Sequence, residues 1–134
     1  MFKFFAILFI TFLSLNAASI NWEKNYEDTI KKAKEQNKPI FVMVSSPTCP
    51  ECNYMKKHVF TKEEIKNFVN KNFISYQFDI SDKNIPKQMQ FWGIPRFYFS
   101  MDGENVYNKT MGGLKADKFI TLMKESKKWK TYYF

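Results

Sequence analysis

The chain has 134 residues, 45% hydrophobic and 25% charged, with 15 Phe. That length suits one domain, and that composition supplies a core and excludes general disorder. The formal charge of +8 is almost wholly lysine, with Arg96 the one Arg; nucleic-acid recognition relies more on Arg, so a solvated lysine-rich surface is expected and no nucleic-acid partner.

Lys3 forms a short positive n-region, Phe4 to Leu15 an uncharged apolar run of 12 residues, and Asn16-Ala17-Ala18-Ser19 a small-residue site. This is the order of a secretory signal peptide over residues 1–18, and the run is short of the ~20 residues of a membrane span. A cut after Ala18 puts Asn16 at the −3 position, where a small residue is preferred, so an uncleaved anchor is the alternative. Residues 19–134 are expected to form one domain in the periplasm or another extracytoplasmic space. Both cysteines lie in it, in a compartment where disulfides persist.

Trp22, Tyr26, Ile30 and Ala33 recur at helical spacing and predict an amphipathic helix that ends at Asn37-Lys38-Pro39. Pro39 to Val44 is a continuous apolar run, as expected of a strand buried on both faces. Ser45 to Thr48 reads as a turn. A helix starts near Cys49, where Pro50 suits the first turn because its missing N–H costs nothing. Cys52, Met55 and Val59 share its inward stripe, and the single histidine, His58, falls off that stripe and reads as a surface residue.

Thr61 followed by Glu64 reads as a capping box for a short helix, about 62–70. Phe73 to Ile80 predicts a strand, and Asp82 to Phe91 a weak helical segment interrupted by Pro86. Arg96-Phe97-Tyr98-Phe99 and Val106-Tyr107-Asn108 flank an Asp-Gly turn and predict a β-hairpin. Gly112-Gly113 punctuates the chain before a terminal helix from Ala116 to Lys128, and the aromatic tail from Trp129 to Phe134 packs on the sheet or marks a partner or membrane surface. The order α-β-α-α-β-α-β-β-α implies an α/β fold: a mixed central sheet, parallel early and antiparallel late, with helices on both faces.

Cys49-Pro50-Glu51-Cys52 carries the chemistry. A first Cys at a strand-to-helix junction meets unpaired N–H groups and the positive helix end, which lower its pKa and make it the attacking thiolate. The second, one turn inside, resolves the mixed disulfide. A purely structural bridge is the first alternative, although so small a loop yields only about 2 kcal/mol by loop entropy. Metal binding is the second. Tetrahedral zinc needs four ligands against two Cys and one His here, but a two-coordinate copper(I) site stays open. Glu51, a carboxylate beside Cys49, disfavours the thiolate and leans the pair toward a reductant; a cation nearby would offset it.

Gly93-Ile94-Pro95 precedes a strand, where Pro has few tolerated positions. Taken with the Cys-x-x-Cys motif, the following apolar strand, Asp-Gly, the next strand and Gly-Gly before a last helix, it resembles thioredoxin. The stretch Cys52 to Asp79 and the phrase Lys38-Pro39-Ile40 resemble the thioredoxin-like group that includes the C-terminal domain of the thiol:disulfide interchange protein DsbD. The resemblance implies a thioredoxin fold and disulfide exchange with protein substrates. It also implies a membrane thiol electron donor, an alternative role as oxidase or isomerase, and no soluble cofactor. It implies further that Pro95 is cis and that the Ile94 backbone pairs with substrate.

Three positions depart from thioredoxin. Met43 stands where it has a buried Asp, Thr48 where it has Trp, and Arg96 where it has Thr. Arg96 is expected either to meet a thiolate or a partner's acidic edge, or to be a solvated rim residue.

Overall fold

The computed structural model describes residues 18–90 and 93–133, with side chains up to residue 129. The expected leader therefore lies, but for Ala18, outside the described residues, as do Phe91 and the side chains of the tail beyond Trp129. Among the described residues no helix is long and apolar enough to cross a membrane.

The elements are α1 (Tyr26–Gln36), β1 (Ile40–Ser45), α2 (Pro50–Tyr54), α3 (Glu63–Asn72), β2 (Ile74–Asp79), β3 (Arg96–Ser100), β4 (Val106–Met111) and α4 (Ala116–Tyr133). The sheet order is β2-β1-β3-β4. β1 pairs parallel with β2 and antiparallel with β3, and β3 pairs antiparallel with β4. This is the expected mixed sheet of a thioredoxin-like α/β fold. β1 is buried along its whole length because it has a strand on each side and helices on each face.

The two faces differ in kind. One carries Phe41, Met43, Phe97 and Phe99 against α2, α3 and α4. Phe41 lies at its centre, fully buried, with ring centroids 5.5–5.9 Å from those of Trp22, Phe97, Phe99 and Phe119. Burial of one such ring stabilises by about 2–3 kcal/mol. The other face carries Ile40, Val42, Val44, Phe78 and Tyr98 against Ala33 of α1 and Met89.

Local chemistry explains where elements begin and end. The Asn25 side chain accepts from the Asp28 N–H and starts α1, and Asn37 closes it in the left-handed region at φ 51°. Trp22 is therefore not on that helix. It forms an isolated parallel bridge with Ser75 and packs its ring on Phe41 and Phe60. The capping box is not formed either. The Thr61 hydroxyl donates back to the Lys57 carbonyl, and α3 begins after Lys62 without a side-chain cap. Among its described residues, the segment after β2 holds no α-helix. Asp79 and Asp82 bind the N–H groups two residues on, and only a 3₁₀ turn at Lys87–Met89 follows. Ser45 ends β1 and is not in the turn. α4 continues past the expected end to Tyr133, and Trp129 is 40% exposed.

Candidate active site

Four residues separate the end of β1 from the start of α2, so the chain turns sharply. The turn is held by Cys49 N–H donating to the Ser46 carbonyl at 3.2 Å and Asn53 Nδ2 donating to the Pro47 carbonyl at 3.1 Å. Cys49 is the N-cap of α2 with extended backbone, and Pro50 is the first helical residue. The Cys52 N–H points at the Cys49 sulfur, 3.1 Å away. Sulfur thus takes the place that Ser or Asp oxygen takes at ordinary N-caps, and a thiolate there would meet a backbone donor and the positive helix end.

The two cysteines are joined as a disulfide with Cα atoms 5.2 Å apart. Cys49 keeps 8% of its surface exposed and Cys52 none. Cys49 is therefore the less enclosed of the two cysteines. Cys52, Met55 and Val59 are all fully buried, as their spacing predicts, and His58 is exposed. From Met55 to Val59 the helix widens into a π turn, a form frequent at functional sites.

The Ile94–Pro95 bond is cis, as the resemblance implies. Val44 pairs with Arg96, which sets Pro95 beside the end of β1. Ile94 is half-buried and packs against the cores of both faces. A third segment joins these two. The Gly112 N–H donates to the Pro95 carbonyl at 2.8 Å, and the Gly113 N–H donates to Glu51 Oε2 at 3.2 Å. In the sequence this segment read only as punctuation; a Gly-Gly pair directly after an edge strand was the available signal that backbones approach closely there.

Arg96 is not a solvated rim residue. It is 4% exposed, and its Nη1 donates to the Gly93 carbonyl at 3.4 Å. Strand alternation puts it on the face of Val44 and Tyr98, whereas the cysteines pack with Met43 and Phe97 on the other. Met43 is fully buried, so no carboxylate lies under the disulfide at that position. At the end of β2 the Ser81 hydroxyl and N–H hold the Asp79 carboxyl below its ordinary range, with Lys56 adding to the effect. Among the described residues no group of three or more His, Cys, Asp or Glu is placed to hold a metal ion.

The model of the thioredoxin-like domain family matches residues 26–127. Spermatogenesis-associated protein 20 of Rattus norvegicus is 36% identical over 64 residues, which is 48% of this chain and only 8% of that protein. The fold resembles a putative disulphide-isomerase from Bacteroides thetaiotaomicron, with TM-score 0.70 and 21% identity over 82% of this chain and 94% of that one. It also resembles the oxidised C-terminal domain of DsbD from Neisseria meningitidis, with TM-score 0.61 and 23% identity over 75% of this chain and 90% of that one.

Proposed function

This chain belongs to the thioredoxin-like domain family, and from that premise we propose that it is an exported thiol–disulfide oxidoreductase that reduces protein disulfides through Cys49 and Cys52. One observation carries the reading. The sulfur that caps α2 and receives the Cys52 N–H belongs to the less enclosed cysteine, while its partner is fully buried one turn inside.

In the reduced protein the Cys49 thiolate attacks one sulfur of a partner's disulfide. That S–S bond breaks, a mixed disulfide forms, and the partner's other sulfur is left as a thiolate while the partner stays bound to Cys49. Cys52 then gives up its proton and attacks Cys49 Sγ, which releases the partner's second thiolate. The partner gains two electrons and two protons, and the chain ends with the Cys49–Cys52 bond seen in the structure. The Ile94 backbone beside cis-Pro95 aligns the incoming strand. A membrane thiol donor, reached in the periplasm or an equivalent space, returns the two electrons, and no soluble cofactor takes part.

Glu51 lies in the first turn of α2, in the same turn as Cys49. Its negative charge opposes the thiolate and so favours the role of reductant. The scale is about 1.36 kcal/mol per pKa unit, or roughly 30 mV for a two-electron couple.

Cys52→Ser tests the proposal. The variant is expected to stall as a mixed disulfide through Cys49, and mass spectrometry of the adduct identifies the partner. A Cys49 thiol that resists alkylation after reduction, with no adduct formed, would sink it.

A further inference from the structure

Three consecutive backbone N–H groups after β4 reach three separate parts of the site. Gly112 donates to the Pro95 carbonyl at 2.8 Å, Gly113 to Glu51 Oε2 at 3.2 Å and Leu114 to Met55 Sδ at 3.2 Å. Glu51 and Met55 are four residues apart and so share one side of the active-site helix. Leu114 and Met55 seal the inner end of this contact in the core. Glu51 closes the outer end, where its side chain is exposed. The approach is close, since a Cβ on Gly113 would stand 3.3 Å from the Glu51 Cβ. The Gly112–Leu114 segment is thus bonded by neighbouring amides to both the cis-Pro loop and the active-site helix.

We propose that Glu51 is a positioning residue. Its carboxylate clasps the Gly112–Leu114 segment to the active-site helix and fixes the gap between the cis-Pro loop and Cys49 that a disulfide-bearing polypeptide enters. The proposal rests on the disulfide-exchange reading and adds to it a preference for polypeptide over small-molecule disulfides. A carboxylate suits the task twice. It accepts a charge-assisted hydrogen bond, and its charge is favoured in the first turn of a helix. A partner strand laid along the cis-Pro loop meets a rim whose far wall is this clasped segment.

Two variants and two readouts test it. Glu51→Gln keeps an oxygen acceptor at the same reach and removes the charge, whereas Glu51→Ala removes both. Native-state amide exchange of Gly113 is expected to rise about tenfold or more in Glu51→Ala and about threefold or less in Glu51→Gln. KM for a disulfide-bonded polypeptide such as insulin is expected to rise about fivefold or more in Glu51→Ala, with Glu51→Gln recovering most of the loss. The loss against a small aromatic disulfide is expected to be smaller. Equal effects of the two variants on both readouts would mean that Glu51 acts by charge alone, and would overturn the proposal. An unmoved Gly113 amide in Glu51→Ala would overturn it as well. A wild-type chain inert toward every disulfide would instead sink the exchange reading, and the Gly113 amide would still decide whether the clasp exists.

Discussion

The two ends of the sheet are built on different plans. At the start of β1, where Ile40 pairs with Ser100, the hairpin turn is held mainly by its own residues. Asp102 accepts from the Ser100 hydroxyl, the Glu104 and Asn105 N–H groups and the Asn105 side chain, while Ser100 accepts from the Gly103 N–H. At the other end, beside local bonds to the Ser46, Pro47 and Gly93 carbonyls, bonds also join segments far apart in sequence: Cys49's helix, the cis-Pro loop and the Gly112–Leu114 segment. The first end satisfies most of its polar groups within a few residues, with the Tyr26 hydroxyl donating to the Gly103 carbonyl and Gln88 bonding Asn105 and Val106 from outside the turn. The second end brings three separate segments together around Cys49, the less enclosed of the two cysteines.

The largest expected effect that separates the ends is on chemistry. Cys49→Ala is expected to remove disulfide exchange altogether while the fold survives with the loss of about 2 kcal/mol from the missing bridge. Insulin reduction and chemical denaturation measure the two parts. At the far end the effect falls on stability alone. Gly103 has φ +86°, and a Cβ there would lie 2.5 Å from Ile30 Cγ1. Gly103→Ala is therefore expected to cost about 2–4 kcal/mol, from a left-handed non-glycine residue and from overpacking. The denaturant midpoint falls with m unchanged, and exchange per folded molecule is retained.

Acid gives a smaller contrast. Partial burial pushes the Asp102 carboxyl up, but the hydrogen bonds from Asn105, Glu104 and Ser100 outweigh it and hold the group below its ordinary value. A folded-state pKa below the unfolded one contributes stability that is complete above the unfolded value, about 3.9, and is lost as pH falls through the folded value. The stability gap between wild type and Asp102→Asn is therefore expected to narrow as pH drops from 5 toward about 2. A constant gap in denaturant midpoints across that range would contradict it.

What the sequence made legible follows the same division. The apolar run of β1, the Cys-x-x-Cys at a helix start, Asn37 at a helix end and the Asp-Gly turn are all set by residues near each other, and the structure places them as expected. The features that the sequence hid depend on partners elsewhere. Trp22 fits the helical spacing of Tyr26 and Ile30, yet Asn25 caps the helix after it and the ring belongs to the Phe41 cluster. Thr61 has the spacing of a cap, but the π turn before it leaves the Lys57 carbonyl to accept its hydroxyl. Arg96 sits next to the cis proline in sequence, and strand parity alone sends its side chain to the opposite face from the cysteines. Glu51 is legible as a charge beside Cys49; its bond to Gly113, 62 residues on, is not.

The same substitution at the active end is the finest test of the comparison. Gly113 is exposed, its φ is not in the left-handed region, and the atom its Cβ would meet is a side-chain carbon at 3.3 Å. Gly113→Ala lowers the entropy of the unfolded chain, worth about 0.4–1 kcal/mol, and Glu51 must yield by a few tenths of an ångström. The two effects oppose each other, so the net change in stability is expected to stay within about 0.5 kcal/mol. The clasp should register the change more than the fold does. The Gly113 N–H remains, but the carboxylate that accepts from it is displaced, so KM for a disulfide-bonded polypeptide should rise by a smaller factor than in Glu51→Ala. A loss of stability as large as that of Gly103→Ala would mean that the active end is packed as tightly as the far one, and the distinction between a turn held mainly by its own residues and a rim held between segments would fail.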